Sequence, residues 1–216
     1  MRYVVETWAP EYGSPAAGAE LEAAAPQIDA TVEVPTAAWA PRSPAIPDAP
    51  VGPVLFVDGV RRVDARVWLA DASGPHHGGL CATVAAGVVR SEGAVARVVD
   101  VAIVRGLFTA WPGASDIVTA HGTWQVHLAP DDALDRLIIT VQDRMAELEA
   151  RVSSRAGDAS LVLLDGPLRG RHDVAGGVGV VKTHRVSYLP PALASVIGEL
   201  GPGQRTPLFH ILGAFP

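Results

Sequence analysis

At 216 residues the chain suits one α/β domain with a sizeable core, or one domain plus an arm. Its 49% hydrophobic and 19% charged content excludes a chain disordered throughout. A formal net charge of −6 argues against a protein that coats nucleic acid by charge alone, because phosphate neutralisation supplies most of that affinity. It argues less against an enzyme whose carboxylates hold a metal ion.

Cys81 is the only cysteine, which excludes an intrachain disulfide or a cysteine-based zinc cage. It lies in the apolar run Leu80-Cys81-Ala82-Thr83-Val84 and reads as a small buried hydrophobe. Met1-Arg2-Tyr3-Val4-Val5-Glu6 lacks the apolar core of a signal peptide, and no stretch reaches the roughly 18 apolar residues of a membrane span. The expectation is a cytoplasmic protein with no membrane partner.

Residues 1–50 are rich in Ala and Pro, with Trp8 and Trp39 as the large anchors. Short strands are expected at 2–8 and 31–34, and the rest of 1–50 reads as an extended arm. The boundary falls in the proline-rich segment 41–53, so residues 51–216 form the second unit. There, Pro53-Val54-Leu55-Phe56-Val57 is a buried strand ending at Asp58-Gly59. Residues 63–69 alternate as a second strand, with Val63, Ala65, Val67 and Leu69 on one face. Strands at 80–89 and 95–104 are joined through Ser91-Glu92-Gly93, and 106–121 is less regular. Pro130-Asp131-Asp132 starts a helix of about six turns, whose stripe runs through Leu134, Leu137, Ile138, Val141, Met145, Leu148 and Val152 to Ala156-Gly157. Another apolar run, 160–164, ends in Asp165-Gly166; a strand at 176–181 and a short helix at 190–200 follow. Strands followed by helix–strand alternation predict an α/β fold with a mixed sheet and flanking helices.

Asp58 and Asp165 each end an apolar run and each precede glycine. On adjacent central strands, both carboxylates would emerge at one sheet edge within reach of one ion. Mg²⁺ and Mn²⁺ prefer such hard oxygen ligands, and phosphodiester hydrolysis needs two or three carboxylates with open water positions. The competing reading is two ordinary Asp-Gly turns. For a third carboxylate, Glu149 lies beside the apolar stripe of the helix, and Glu147 points nearly opposite. Arg61 and Arg62 follow the first Asp-Gly. Arg169, Arg171, His172, His184 and Arg185 follow the second, so a basic rim could track phosphates. The pair His76 and His77 reads as an exposed turn without a third ligand, and His121 and His127, which flank Trp124, read either as nucleic-acid contacts or as part of a half-buried strand or loop.

Together, Val54-Leu55-Phe56-Val57-Asp58-Gly59, Leu161-Val162-Leu163-Leu164-Asp165-Gly166-Pro167-Leu168 and Val178-Gly179-Val180-Val181-Lys182-Thr183 resemble, in order and spacing, the three main motifs of NurA-type nucleases. The resemblance covers residues 52–210. It implies a ribonuclease H-like fold, Mn²⁺- or Mg²⁺-dependent cleavage of DNA, a homodimer, and partnership with a hexameric HerA-type helicase in DNA end processing and repair. It further implies Asp58, Asp165 and the helix glutamate, Glu149 in preference to Glu147, as metal ligands. Lys182 would contribute to catalysis, and Arg61, Arg62, Arg169, Arg171, Lys182 and Arg185 would bind nucleic acid. Three departures stand against the family pattern. Val60 replaces its usual serine, the arm has no counterpart, and the chain ends at Pro216 where the family continues to further tyrosine and histidine residues; His210 comes too early to be that histidine. The resemblance thus points to a truncated or divergent member. It leaves open a non-catalytic relative that dimerises or docks on a motor ATPase.

Overall fold

The computed structural model describes residues 1–6, 27–45, 52–71, 74, 76–155, 157–168, 174–182 and 188–212. Among these, the elements in chain order are β1 (Arg2–Val5), β2 (Gln27–Asp29), a 3₁₀ turn (Thr36–Ala38), β3 (Val54–Ala70), β4 (His77–Glu92), β5 (Val95–Thr109) and β6 (Ile117–Thr119). Then come β7 (Gly122–Leu128), α1 (Leu134–Arg155), β8 (Leu161–Asp165), β9 (Gly177–Val180), α2 (Pro191–Gly198) and β10 (His210–Leu212). The chain divides into two compact units, Met1–Ser14 with Val51–Lys182, and Pro15–Pro50 with Thr183–Pro216.

The first unit is a mixed sheet in the order β6-β7-β5-β4-β3-β8-β9, with β1 also paired to β3. β3, β4 and β5 form a long antiparallel ribbon, while β8 runs parallel to β3 and β9 parallel to β8. The mixed sheet expected from the sequence is present. Its strands are longer than the patterning suggested, because each central strand finds a partner along nearly its whole length.

Two expected strands are thereby one. Residues 54–58 and 63–69 belong to a continuous β3, and Asp58 sits within it opposite Gly87 rather than at its end. A bulge between Val63 and Ala65 changes which face the following residues occupy. Val63 packs against the cluster that includes α1, whereas Ala65, Val67 and Leu69 join a second cluster with Cys81, Leu107 and Ile117. The expectation of one shared face for these four residues fails at the bulge. Asp64, the extra residue, accepts hydrogen bonds from Thr83 Oγ1 at 2.6 Å and Trp124 Nε1 at 2.9 Å. β5 likewise runs on to Thr109, through the start of the segment read as irregular.

α1 packs the stripe that its sequence phase predicts from Leu137 onward, whereas Leu134, named at its start, is exposed. Leu137, Val141, Leu148 and Val152 are buried with Leu55, Val57, Val84, Val88 and Leu164 in the main core. Asp131 Oδ1 accepts the Ala133 N–H just before the helix, and Gly157 beyond it takes a left-handed φ of 84°. Asp132 is used elsewhere: its Oδ1 accepts the Ala110 N–H at 2.7 Å, and its Oδ2 faces His77 Nδ1 at 3.4 Å. His77 also stacks on Trp111, so it braces the start of β4.

In the second unit, β2 and β10 form a two-stranded antiparallel ladder. Residues 31–34, expected as a strand, are bends; the strand lies just before them at β2. Glu33 explains the difference, because its carboxylate gathers Arg205 at 2.8 and 2.9 Å, the Leu208 N–H at 2.8 Å and Arg42 at 3.2 Å. These contacts, the Arg205 hydrogen bond foremost, depress its pKa to about 2. Trp39 donates its indole N–H to Ala30 O at 2.9 Å, and Trp8 lies outside the described residues.

Candidate active site

The parallel ladder of β3 and β8 pairs Val54 to Val57 with Leu161 to Leu164. Asp58 and Asp165 are the next residue on each strand, so the two carboxylates stand side by side on neighbouring strands. Side chains alternate along a strand. Val57 and Leu164 are buried in the core beneath α1, so Asp58 and Asp165 leave on the opposite face.

Glu149 approaches from the helix side. It is 3% exposed, a rare degree of burial for a carboxylate, whereas Glu147 is exposed and paired with Arg144 Nη1 at 2.7 Å. Directly below Glu149 is Gly59. A Cβ at Gly59 would collide with Glu149 Oε1 and stand 2.9 Å from Met145 Cγ. The glycine after Asp58 therefore serves close approach of the helix, not a turn. Gly166, the glycine after Asp165, does turn the chain: its φ is 78° and its N–H donates to Val180 O at 2.9 Å. Two identical dipeptides thus have different physical reasons.

Asp58, Glu149 and Asp165 all line one cleft of about 810 Å³, together with Asp143, Glu147 and Gly166. Because the aspartates and Glu149 enter from opposite faces of the sheet, they share the cleft without meeting at a point. Among the described residues no group of three His, Cys, Asp or Glu side chains is close enough to hold an ion. The donor set itself, three carboxylates with one deeply buried, fits a hard divalent cation in its chemistry.

Lys182, just beyond β9, places Nζ 3.0 Å from Asp165 Oδ2. That hydrogen bond, then the charges of Asp165 and Asp58, hold the ammonium pKa above its ordinary value. Lys182 is thus a fixed cation at the mouth of the aspartate pair. Arg62 is exposed and bound to Asp64, with Nε 2.9 Å from Oδ1, and Arg61 is exposed on β3. Arg169, Arg171 and Arg185, with His172 and His184, lie outside the described residues. Val60 is 65% exposed on the Asp58 face. Burial, with a smaller effect of Asp64, pushes the Cys81 thiol up to about 12, which makes it an inert core group at neutral pH.

No family model matches the chain, and no curated protein matches it. Among solved structures, it is similar to the NurA nuclease from Sulfolobus solfataricus at 15% identity and a TM-score of 0.35, over 62% of this chain and 31% of that one. It is also similar to a structure of NurA with manganese at 16% identity and a TM-score of 0.25, over 59% of this chain and 23% of that one. The chain therefore spans less than a third of either. The likeness is weak.

Sequence reasoning missed a basic group beside this cleft. Arg136, Thr140, Arg144 and Glu147 recur at steps of four, four and three, one face of a helix. That periodicity was legible, but the partner His127 comes from β7, whose placement next to α1 no local pattern announces.

Proposed function

We propose that the cleft between β3, β8 and α1 is the active site of a divalent-metal-dependent deoxyribonuclease of the NurA, ribonuclease H-like kind. The observation that carries this reading is the single cleft shared by Asp58, Asp165 and the buried Glu149. A central β3 with antiparallel β4 and β5 on one side and parallel β8 and β9 on the other supports the fold half of it.

In this reading Asp58, Asp165 and Glu149 are the residues that would hold Mn²⁺ or Mg²⁺. The bound ion would supply an activated water and stabilisation of the leaving oxygen. The chain's own part is to supply the carboxylates and a positive point charge. Lys182, held by Asp165, would offer its positive charge to a phosphate oxygen. Arg61 and Arg62, with Arg169, Arg171 and Arg185, would serve as flanking phosphate contacts. Assembly as a homodimer and coupling to a HerA-type ATPase belong to the same proposal.

The test is degradation of a labelled duplex with Mn²⁺ by the wild type, Asp58→Asn and Asp165→Asn. The reading expects cleavage by the wild type only, with all three proteins equally folded by circular dichroism. Cleavage retained in either variant removes the assignment. A wild type that binds Mn²⁺ without cutting DNA supports the non-catalytic relative instead.

A further inference from the structure

We propose that a second cavity on α1 is a phosphate subsite for a single nucleic-acid strand leading into the carboxylate cleft; this rests on the nuclease reading above. The cavity holds about 380 Å³ and is lined by His127, Arg136, Thr140, Asp143, Arg144 and Glu147, among others. It shares Ile139, Asp143 and Glu147 with the carboxylate cleft, so the two cavities adjoin on α1.

Its basic groups come from two elements. Arg136 and Arg144 stand on α1, and His127 on β7 is stacked over Phe108 with ring centroids 5.0 Å apart. Two of their nitrogens, His127 Nε2 and Arg144 Nε, are buried without a hydrogen-bond partner among the described residues. Buried polar groups are nearly always satisfied, so two unsatisfied nitrogens on side chains that line one cavity mark a place for a ligand atom. Arg144 Nε can only donate, and His127 Nε2 donates when it carries the ring proton, so the natural occupant is an acceptor oxygen. Arg136 forms no ion pair among the described residues and adds a second guanidinium to the cavity wall.

The acidic groups fix the direction. Glu147 engages Arg144 Nη1, and with Asp143 it lies on the rim shared with the cleft. These carboxylates repel a phosphate from the rim and favour it at the His127 and Arg136 end. Burial, then the charge of Arg144, hold the His127 pKa below its ordinary value.

The experiment is fluorescence anisotropy of fluorescein-labelled dT12, in EDTA so that cleavage does not intervene, across a salt series. It compares the wild type with Arg136→Gln and His127→Phe, and inorganic phosphate serves as a competitor. Each variant is expected to bind dT12 roughly tenfold more weakly, the scale of one charged hydrogen bond. Arg136→Gln should also lower the slope of log K against log salt by about 0.7. His127→Phe keeps the stacked ring and removes the unpartnered nitrogen, so its urea midpoint should not fall. Wild-type affinity and slope in both variants would overturn the subsite, as would a wild type that takes inorganic phosphate but not dT12, or neither. Mn²⁺-dependent cleavage by the same preparations separates the two failures. Cleavage with unaltered variants defeats the subsite alone, whereas variant-sensitive binding without cleavage defeats the nuclease reading alone.

Discussion

Gly59→Ala is the smallest change that interrogates the site. The added Cβ would collide with Glu149 Oε1 and stand 2.9 Å from Met145 Cγ and 3.1 Å from Glu149 Cδ. Elsewhere in a strand, replacing glycine by alanine stabilises by about 0.5–1 kcal/mol through the unfolded chain. Here one methyl group enters a filled space, which costs about 1–3 kcal/mol. Glu149 has little room to retreat, being 3% exposed, so overpacking should win by about 1–2 kcal/mol. With a urea m-value of about 2 kcal/mol/M, the midpoint should fall by about 0.5–1 M. Mn²⁺ affinity, followed by calorimetry, should fall roughly tenfold as Glu149 is displaced from the cleft. A raised midpoint together with wild-type Mn²⁺ affinity would refute the argument, since it would mean that α1 does not press its glutamate on β3.

Other consequences follow from the packing and charges. Gly179→Ala should cost about 1–3 kcal/mol in urea unfolding, because its Cβ would stand 2.5 Å from Gly166 O and 3.2 Å from Leu168 N, backbone atoms that cannot rotate away. Leu164→Ala empties a fully buried position one residue before Asp165 and should cost about 2–5 kcal/mol by the same measurement. His127 has a folded pKa below its ordinary 6.5, so protonation opposes folding. Its contribution is therefore intact above pH 6.5 and lost as pH falls through that value toward the folded pKa. The urea midpoint should drop more between pH 7 and pH 5 in the wild type than in His127→Phe. Glu33 should titrate by NMR near pH 2 rather than near 4.5; its stabilisation is present above 4.5 and lost as pH falls through about 2.

Period and composition carried much of the fold. The stripe of α1 and the apolar runs before Asp58 and Asp165 were readable because each buries a side-chain pattern that only one periodicity satisfies. The continuity of β3 was not, because a bulge at Asp64 leaves local alternation on both sides while reversing its face. The strand expected at 31–34 was lost to Glu33, whose partners Arg205 and Leu208 are far away in sequence. Helical phase put Glu149 on the sheet side of α1 and Glu147 away from it, and Glu149 is buried and Glu147 exposed. The meaning of Gly59 was hidden, since close approach by a helix leaves no local signature.

The most direct test of the account is Mn²⁺ titration, followed by calorimetry and by the electron paramagnetic resonance of free Mn²⁺. It compares the wild type with Asp58→Asn, Glu149→Gln and Asp165→Asn. Saturable binding is expected in the wild type, with at least roughly tenfold weaker binding in each variant, Glu149→Gln included. No saturable binding in the wild type, or wild-type affinity in Glu149→Gln, would contradict it.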